Sequence, residues 1–347
     1  MVKNGNNKRI GFNNEKALEY FRQRSQFTAK QFQKKFKTDL KTSYEILNKF
    51  RDKSVLVREG AEWILNPSYN VDYLDWNGNL SKLEKLYKLK LFTLLIGSKG
   101  TGKNESVLAL AKKLNLNLIS LNLSLRTREH HIIGRLDVES NNGTKRIVWK
   151  KGPLPLSMEE GCVLILDELN ASEPDVLLRL DESLDERREL NYEGQHIVAH
   201  KDWWVVGIIN PLDHPGTKEL PPQLIRRFPA RLIYEYPDPL NELKIIKKKV
   251  GVKQINEDLL FRLLDLFNVI RNNSDLPYTP SITESITAAQ LLNSGTSMNE
   301  VIDITLLNTL RQWGVEPIKE AKELAISKGI YLEDKLSKNK KDTTTYL

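Results

Sequence analysis

"LLIGSKGTGKNES", residues Leu94–Ser106, is the stretch whose reading decides the fold. An apolar run breaks into Gly97, Gly100, Gly102 and Lys103, and the amphipathic "ESVLALAKKLN" follows at once. The run predicts a buried strand and the stretch after it predicts a helix. Strand, glycine turn and helix in this order make a phosphate-binding loop of the GxxxxGK kind. Its glycines let backbone N–H groups turn toward one point, the helix start adds partial positive charge, and Lys103 adds a full one. Gly97, Ser98, Lys99, Gly100, Thr101, Gly102, Lys103, Asn104 and Glu105 are thus the candidate residues for binding ATP.

The position after the lysine usually carries a Ser or Thr hydroxyl that binds Mg²⁺, and here it carries Asn104. An amide carbonyl is also a neutral oxygen ligand for a hard cation, projecting one atom further. Asn104 therefore stays a candidate metal ligand, with nucleotide binding kept and metal geometry altered. A loop of this kind calls for a second strand ending in an acid. "GCVLILDELNAS" supplies it about sixty residues on, finishing in Asp167 and Glu168. Beside the loop, Asp167 can hold Mg²⁺ and Glu168 can polarise an attacking water. An ordinary strand end with two solvated acids is the alternative.

A chain of 347 residues has room for two or three domains. It has no apolar stretch near the roughly 20 residues of a membrane helix, and its polar start lacks the apolar centre of a signal peptide. These features predict a cytoplasmic protein with no membrane partner. The single cysteine, Cys162, sits in an apolar run and is expected to pack as a small hydrophobe.

Charge is unevenly spread. Residues 1–66 hold 15 Lys or Arg against 7 Asp or Glu, which accounts for the whole net charge of +8. A local basic surplus is the footprint of a nucleic-acid-binding module, because phosphate neutralisation supplies much of such affinity; a solvated basic face is the alternative. "NNEKALEYFRQRS" puts Ala17, Leu18 and Phe21 on one helical stripe. "FTAKQFQKKFK" offers Thr28 as an N-cap with Phe32 and Phe36 four apart. "LKTSYEILNKFRDK" repeats helical spacing, and "SVLVREGAEWIL" alternates around a Glu-Gly turn. Three helices and a hairpin predict a winged helix-turn-helix over 1–66. Its third helix would bring Lys41, Thr42 and Lys49 to the major groove of DNA, with Lys34, Lys35 and Arg58 near phosphates. Winged helices also dock proteins, so a protein adaptor remains open. The polar stretch 67–79 reads as a linker, and "LSKLEKLYKLK" after it as a short amphipathic helix.

From about residue 85 to 300 the sequence resembles the AAA+ ATPases of the MoxR and midasin type. The resemblance is carried by "GPLPLSMEEGCVLILDELNASEPDVLLRLDESLDERREL", "WWVVGIINP" and "GTKELPPQLIRRF" in that order. It implies a ring of copies of this chain, a hexamer, with nucleotide between neighbouring subunits. It also implies that Asn210 orients the attacking water and that Arg227, or Arg226 in its place, is an arginine finger reaching the next subunit's γ-phosphate. "LDVESNNGTKRIVWK" predicts a hairpin around Asn142 and Gly143; in this group an insertion here, before "GPL", projects toward the ring axis, which makes the hairpin a candidate contact for substrate, with a plain surface hairpin as the alternative. His130 and His131 are adjacent, so their rings should diverge, and no third metal ligand lies nearby.

Beyond residue 238 the pattern turns helical to about 333, as in the small lid of these proteins, and the tail 334–347 has too few apolar residues to pack. Relatives place a sensing arginine near the start of the third lid helix; this chain has Glu284 close to that position and no arginine. The expected fold is α/β, a P-loop AAA+ core with a parallel sheet over 80–238, followed by a C-terminal helical lid and preceded by the winged helix. The expected function is ATP hydrolysis in an oligomeric ring that remodels a partner, associated with DNA. The alternatives are a chaperone acting on proteins and a nucleotide-gated switch with little turnover, the latter raised by Asn104 and the absent sensor.

Overall fold

Aromatic side chains build the first part of the molecule. The computed structural model describes residues 17, 20–21, 26–52, 56–59, 62–65, 73–141, 144–212, 216–250 and 256–332. Helical Ala17, Tyr20 and Phe21 are followed by β1 (Gln26–Thr28), α1 (Ala29–Phe36), α2 (Leu40–Asp52), β2 (Leu56–Glu59) and β3 (Glu62–Leu65). Thr28 caps α1 as its spacing predicts, its hydroxyl accepting from Gln31 N while the Gln31 side chain accepts from Thr28 N. Lys37 ends α1 in the left-handed region (φ 53°), and Asp39 opens α2 by accepting from the amide and hydroxyl of Thr42. Phe21 stacks on Phe27 at 5.2 Å and meets Phe50 edge-on at 5.0 Å, closing a core with Phe32, Leu47 and Trp63. β1 was not legible in advance; it pairs antiparallel with β3 and gives the sheet order β1-β3-β2. Glu59 faces Glu62 as the last pair of the β2–β3 ladder, so the turn starts after Glu59, and Gly60 itself lies outside the described residues.

The core begins with α3 (Asn79–Lys88), which buries Leu83. Next come β4 (Thr93–Gly97), α4 (Lys103–Leu114), β5 (Leu118–Asn122), α5 (Glu129–Ile132), the hairpin β6 (Gly134–Asn141) and β7 (Thr144–Lys151), and α6 (Pro153–Glu160). After β8 (Val163–Asp167) a second hairpin, β9 (Glu189–Tyr192) and β10 (Gln195–Val198), precedes β11 (Trp204–Ile209), α7 (Pro222–Arg227) and β12 (Ala230–Tyr234). Five strands form one parallel sheet in the order β12-β4-β11-β8-β5. Both faces of a parallel sheet are covered, so its central strands are continuously apolar: Val163 to Leu166 and Trp204 to Ile208 are buried throughout. Cys162 is buried beside them, as expected of a small hydrophobe. The indoles satisfy their N–H groups inside this core, Trp203 on Ser157 Oγ and Trp204 on the Leu91 carbonyl.

The lid consists of α8 (Pro239–Val250), α9 (Glu257–Arg271), α10 (Ile282–Asn293), a broken helical run over 298–313 and α11 (Val315–Ser327). Leu263, Phe267, Ile302 and Leu306 form its own core. The β6–β7 register leaves two residues between Asn141 and Thr144, as a two-residue turn requires; Asn142 and Gly143 themselves lie outside the described residues, as do linker residues 67–72 and the tail 334–347. No helix among the described residues is long and apolar enough to cross a membrane.

Candidate nucleotide-binding and catalytic site

Parallel pairing brings the expected groups to one edge of the sheet, because β4, β8 and β11 all end on the same side. At the end of β4 the chain has no room for a side chain. A Cβ on Gly97 would lie 2.1 Å from the carbonyl oxygen of Tyr234, its register partner on β12. Gly100 takes φ 75°, and a Cβ there would meet the Ser281 side chain at 2.4 Å, so the start of α10 rests on the loop. Thr101 braces the turn by donating its hydroxyl to the Ser98 carbonyl.

Lys103 opens α4 and is only 7 % exposed. Its ammonium donates to the carbonyls of Gly97 (2.5 Å) and Ser98 (2.7 Å) and to Asn210 Oδ1 (3.3 Å). All three partners are neutral oxygens. Burial pushes its pKa down to about 8, against the opposing pull of Asp167 and Glu105. A buried cation whose direct hydrogen-bond partners are neutral carbonyl and amide oxygens is suited to pairing with a phosphate.

Asn104 meets Asp167 across the loop at 2.7 Å, so the two candidate metal ligands are neighbours. The amide turns its N–H toward the carboxylate, opposite to the carbonyl-first orientation expected of a ligand. An N–H is the end of an amide that an acceptor-only carboxylate attracts. Glu168 follows Asp167 in the left-handed region (φ 51°), a strained conformation for a non-glycine residue and one found at functional sites. Its carboxylate lies 3.2 Å from the Lys99 ammonium. Asn210 is 7 % exposed and fixed by a reciprocal pair of bonds: Asn170 Nδ2 donates to its carbonyl and its amide donates to Asn170 Oδ1.

Arg227 ends α7 in a fork with Asp181, Nε to Oδ1 at 2.8 Å and Nη2 to Oδ2 at 2.9 Å. The hydrogen bonds from Arg227 hold the Asp181 carboxyl below its ordinary range. Arg226 is exposed. In the lid, Glu284 is explained by its cap role: its carboxylate accepts from Ser281 N (2.7 Å) and Oγ (2.5 Å) at the start of α10.

Two cavities flank the loop. One, about 60 Å³, is walled by Tyr73 and Trp76 before α3, by Gly102 and Glu105, and by Ile282 and Ile286 of α10. It is apolar and aromatic on its outer sides, the chemistry of a base pocket. The other, about 520 Å³, lies between Ser98 and Thr101 of the loop, Pro211 after β11, and Tyr236 and Arg271. Sequence reasoning assigned Tyr73 and Trp76 to a spacer and passed over Asn170, Asp181, Tyr236 and Arg271. Their roles depend on partners far along the chain, and only the β9–β10 hairpin carried a local signal, Glu193-Gly194, with φ 47° and 74°.

His130 and His131 depart from expectation. Their ring centroids lie 4.1 Å apart on the one-turn helix α5, although adjacent positions diverge in a helix as in a strand. His131 Nδ1 accepts from Arg128 N, and no group of three metal-ligating side chains occurs among the described residues. In the N-terminal part Lys34, Lys35 and Lys41 are exposed, Lys49 is carried on α2 and Arg58 on β2, and Thr42 spends its hydroxyl on Asp39.

Residues 93–228 match the family described as AAA domain (dynein-related subfamily). The chain is 30 % identical over 233 residues to the denitrification regulatory protein NirQ of Pseudomonas aeruginosa, covering 65 % of this chain and 86 % of that protein. It is 27 % identical over 242 residues to protein NorQ of Paracoccus denitrificans, covering 69 % and 87 %. Midasin of Giardia intestinalis is 25 % identical over 210 residues, which is 49 % of this chain and 4 % of midasin. With a glycine loop around a buried lysine, a strand-end acid pair and a polar strand-end Asn210 on a five-stranded parallel sheet, the chain belongs to the AAA+ ATPases of the MoxR and midasin, dynein-related, type.

Proposed function

We propose that the chain binds ATP with Mg²⁺ at residues 97–105 and hydrolyses it to ADP and phosphate, as a subunit of a ring that remodels a partner. The observation that carries this reading is the buried ammonium of Lys103, seated among carbonyls at the start of a twelve-residue helix that follows the glycine turn. Gly97, Ser98, Gly100, Thr101 and Gly102 shape the backbone around the phosphates, Lys99 and Glu105 flank it, and Tyr73, Trp76, Ile282 and Ile286 enclose the base. Asn104 and Asp167 would hold the metal, which supplies charge neutralisation on the phosphate oxygens. Glu168 accepts a proton from the attacking water and Asn210 orients that water. Arg227 reaches the neighbouring subunit's nucleotide, with Arg226 as the substitute.

The decisive experiment measures ATP hydrolysis per subunit against protein concentration, with and without duplex DNA. A rate that climbs with concentration supports a finger supplied by a neighbour; a concentration-independent rate removes the ring from the reading, and no hydrolysis at any concentration removes the enzyme. In the same assay Asn104→Thr tests the altered loop. A hydroxyl at this position should raise turnover roughly tenfold, about 1.4 kcal/mol of barrier. A brisk native rate that the substitution leaves unchanged would eliminate the nucleotide-gated switch.

DNA is the proposed partner of residues 1–66. Support comes from the order helix, strand, helix, helix, hairpin, which fits a winged helix-turn-helix, and from exposed Lys34, Lys35 and Lys41 on its two helices. About five phosphate contacts would give a slope of roughly −4 to −5 in log affinity against log salt. The full chain titrated on duplex DNA at several salt concentrations checks this, and a flat response would favour a protein adaptor. For a protein client, the exposed apolar side chains Leu136, Val138 and Ile147 on one face of the β6–β7 hairpin offer the contact surface.

A further inference from the structure

The loop is tied to the lid by contacts that the expected machinery does not use. Tyr236, between β12 and α8, donates its hydroxyl to the Lys99 carbonyl at 2.6 Å. Burial pushes the phenol up to about 12, so it stays a donor at neutral pH. The guanidinium of Arg271, the last residue of α9, stands over the Tyr236 ring at 4.5 Å. Every nitrogen of that guanidinium is engaged: Nη1 and Nη2 donate to the two Glu242 oxygens at 2.5 and 2.9 Å, and Nε donates to the Pro280 carbonyl at 2.7 Å. Ser285 Oγ donates to the same Glu242 carboxylate at 2.5 Å. The Arg271 and Glu242 side chains are 2 % and 0 % exposed. One buried ion pair thus joins α8, α9, the segment before α10 and α10 itself. Separating it would leave bare charges in the lid core, so these elements move together.

Lys99 has a second contact of equal interest. Its ammonium pairs with Glu168, so one loop residue offers its carbonyl to the lid and its side chain to the acid that receives the water's proton. Glu284, near the loop at the start of α10, is committed to capping that helix. We propose that Tyr236, seated by Arg271, is the positioning residue through which the lid reads the phosphate state of the loop. A γ-phosphate competes with Glu168 for the Lys99 ammonium, the loop shifts at Lys99, and the Tyr236 hydrogen bond carries the shift to the Arg271–Glu242 pair. That pair delivers it to α10, whose cap Ser281 rests on Gly100. The inference rests on the ATPase reading above.

The test uses the full chain with Tyr236→Phe, Lys99→Met and the double variant. Two readouts are taken with Mg²⁺: the affinities for a non-hydrolysable ATP analogue and for ADP, and the distance between spin labels on Lys201→Cys in the core and Gln290→Cys in α10. Cys162 is buried and does not compete for label. Tyr236→Phe should leave ADP affinity within about twofold but lower the ratio of analogue affinity to ADP affinity by about fivefold or more, and should abolish the analogue-induced change in label distance. Lys99→Met should lower the same ratio and abolish the same change in label distance, and the double variant should add little to either. An unchanged ratio and lid movement in Tyr236→Phe overturns the proposal, as do fully additive losses in the double variant. A native chain that binds both nucleotides without moving the lid overturns it alone; a native chain that binds neither overturns the ATPase reading with it.

Discussion

Glu168→Gln should lower ATP turnover by roughly 10²- to 10⁴-fold while leaving nucleotide affinity within about twofold of the native value. The amide keeps the shape of the carboxylate and cannot accept a proton. Among the described residues the carboxylate pairs with Lys99, and both side chains are open to solvent, 34 % and 65 % exposed, so losing the pair costs little stability. The loop and Lys103 keep their contacts with Gly97, Ser98 and Asn210. Single-turnover hydrolysis together with equilibrium binding of ATP checks the result. A fall in affinity matching the fall in rate would mean that Glu168 holds the nucleotide and does not act on water.

Arg227→Ala should reduce hydrolysis by about 10³-fold or more, the scale of a guanidinium that neutralises charge in the transition state. The fork with Asp181 uses Nε and Nη2 and leaves Nη1 available, so Asp181 aims the side chain and does not consume it. Asp181→Asn should therefore produce a smaller loss of the same kind. The discriminating measurement mixes Arg227→Ala with Glu168→Gln subunits. Each parent is inactive for a different reason, and mixed rings contain interfaces with an intact acid on one side and an intact arginine on the other, so activity should reappear. Failure to recover would place the arginine in its own subunit's site. If Arg226→Ala, and not Arg227→Ala, gives the large loss, the finger is the exposed neighbour.

The parts of this architecture that were legible from the sequence are those written in a short window. The β4–loop–α4 unit, the strand ending in Asp167 and Glu168, and the strand ending in Asn210 each announce themselves within about a dozen residues, because a central parallel strand must be apolar throughout and its end must turn. Thr28 and its helix follow for the same reason: a cap is a local bond. What escaped notice depends on distance along the chain. Tyr236 reaches Lys99 across 137 residues, Arg227 reaches Asp181 across 46, and Asn170 reaches Asn210 across 40. Tyr73 and Trp76 looked like spacer because a polar, turn-rich stretch has no periodicity to reveal what its aromatic rings cover. The adjacent histidines differ in another way: neighbouring side chains diverge in helix and strand alike, yet these two rings lie 4.1 Å apart on a single helical turn, where His131 accepts from Arg128 N.

Tyr73 and Trp76 connect the N-terminal segment to the rest of the protein and also wall the proposed base pocket, where Tyr73 approaches Gly102 and its carbonyl accepts from Lys248 of α8. Any ligand that displaces this strap alters how long a nucleotide resides, and reciprocity obliges the nucleotide to alter the grip on that ligand by the same factor. A chain that begins after this strap is therefore expected to lose the aromatic wall of the proposed pocket together with its first 66 residues, and nucleotide affinity compared between that chain and the full one checks it.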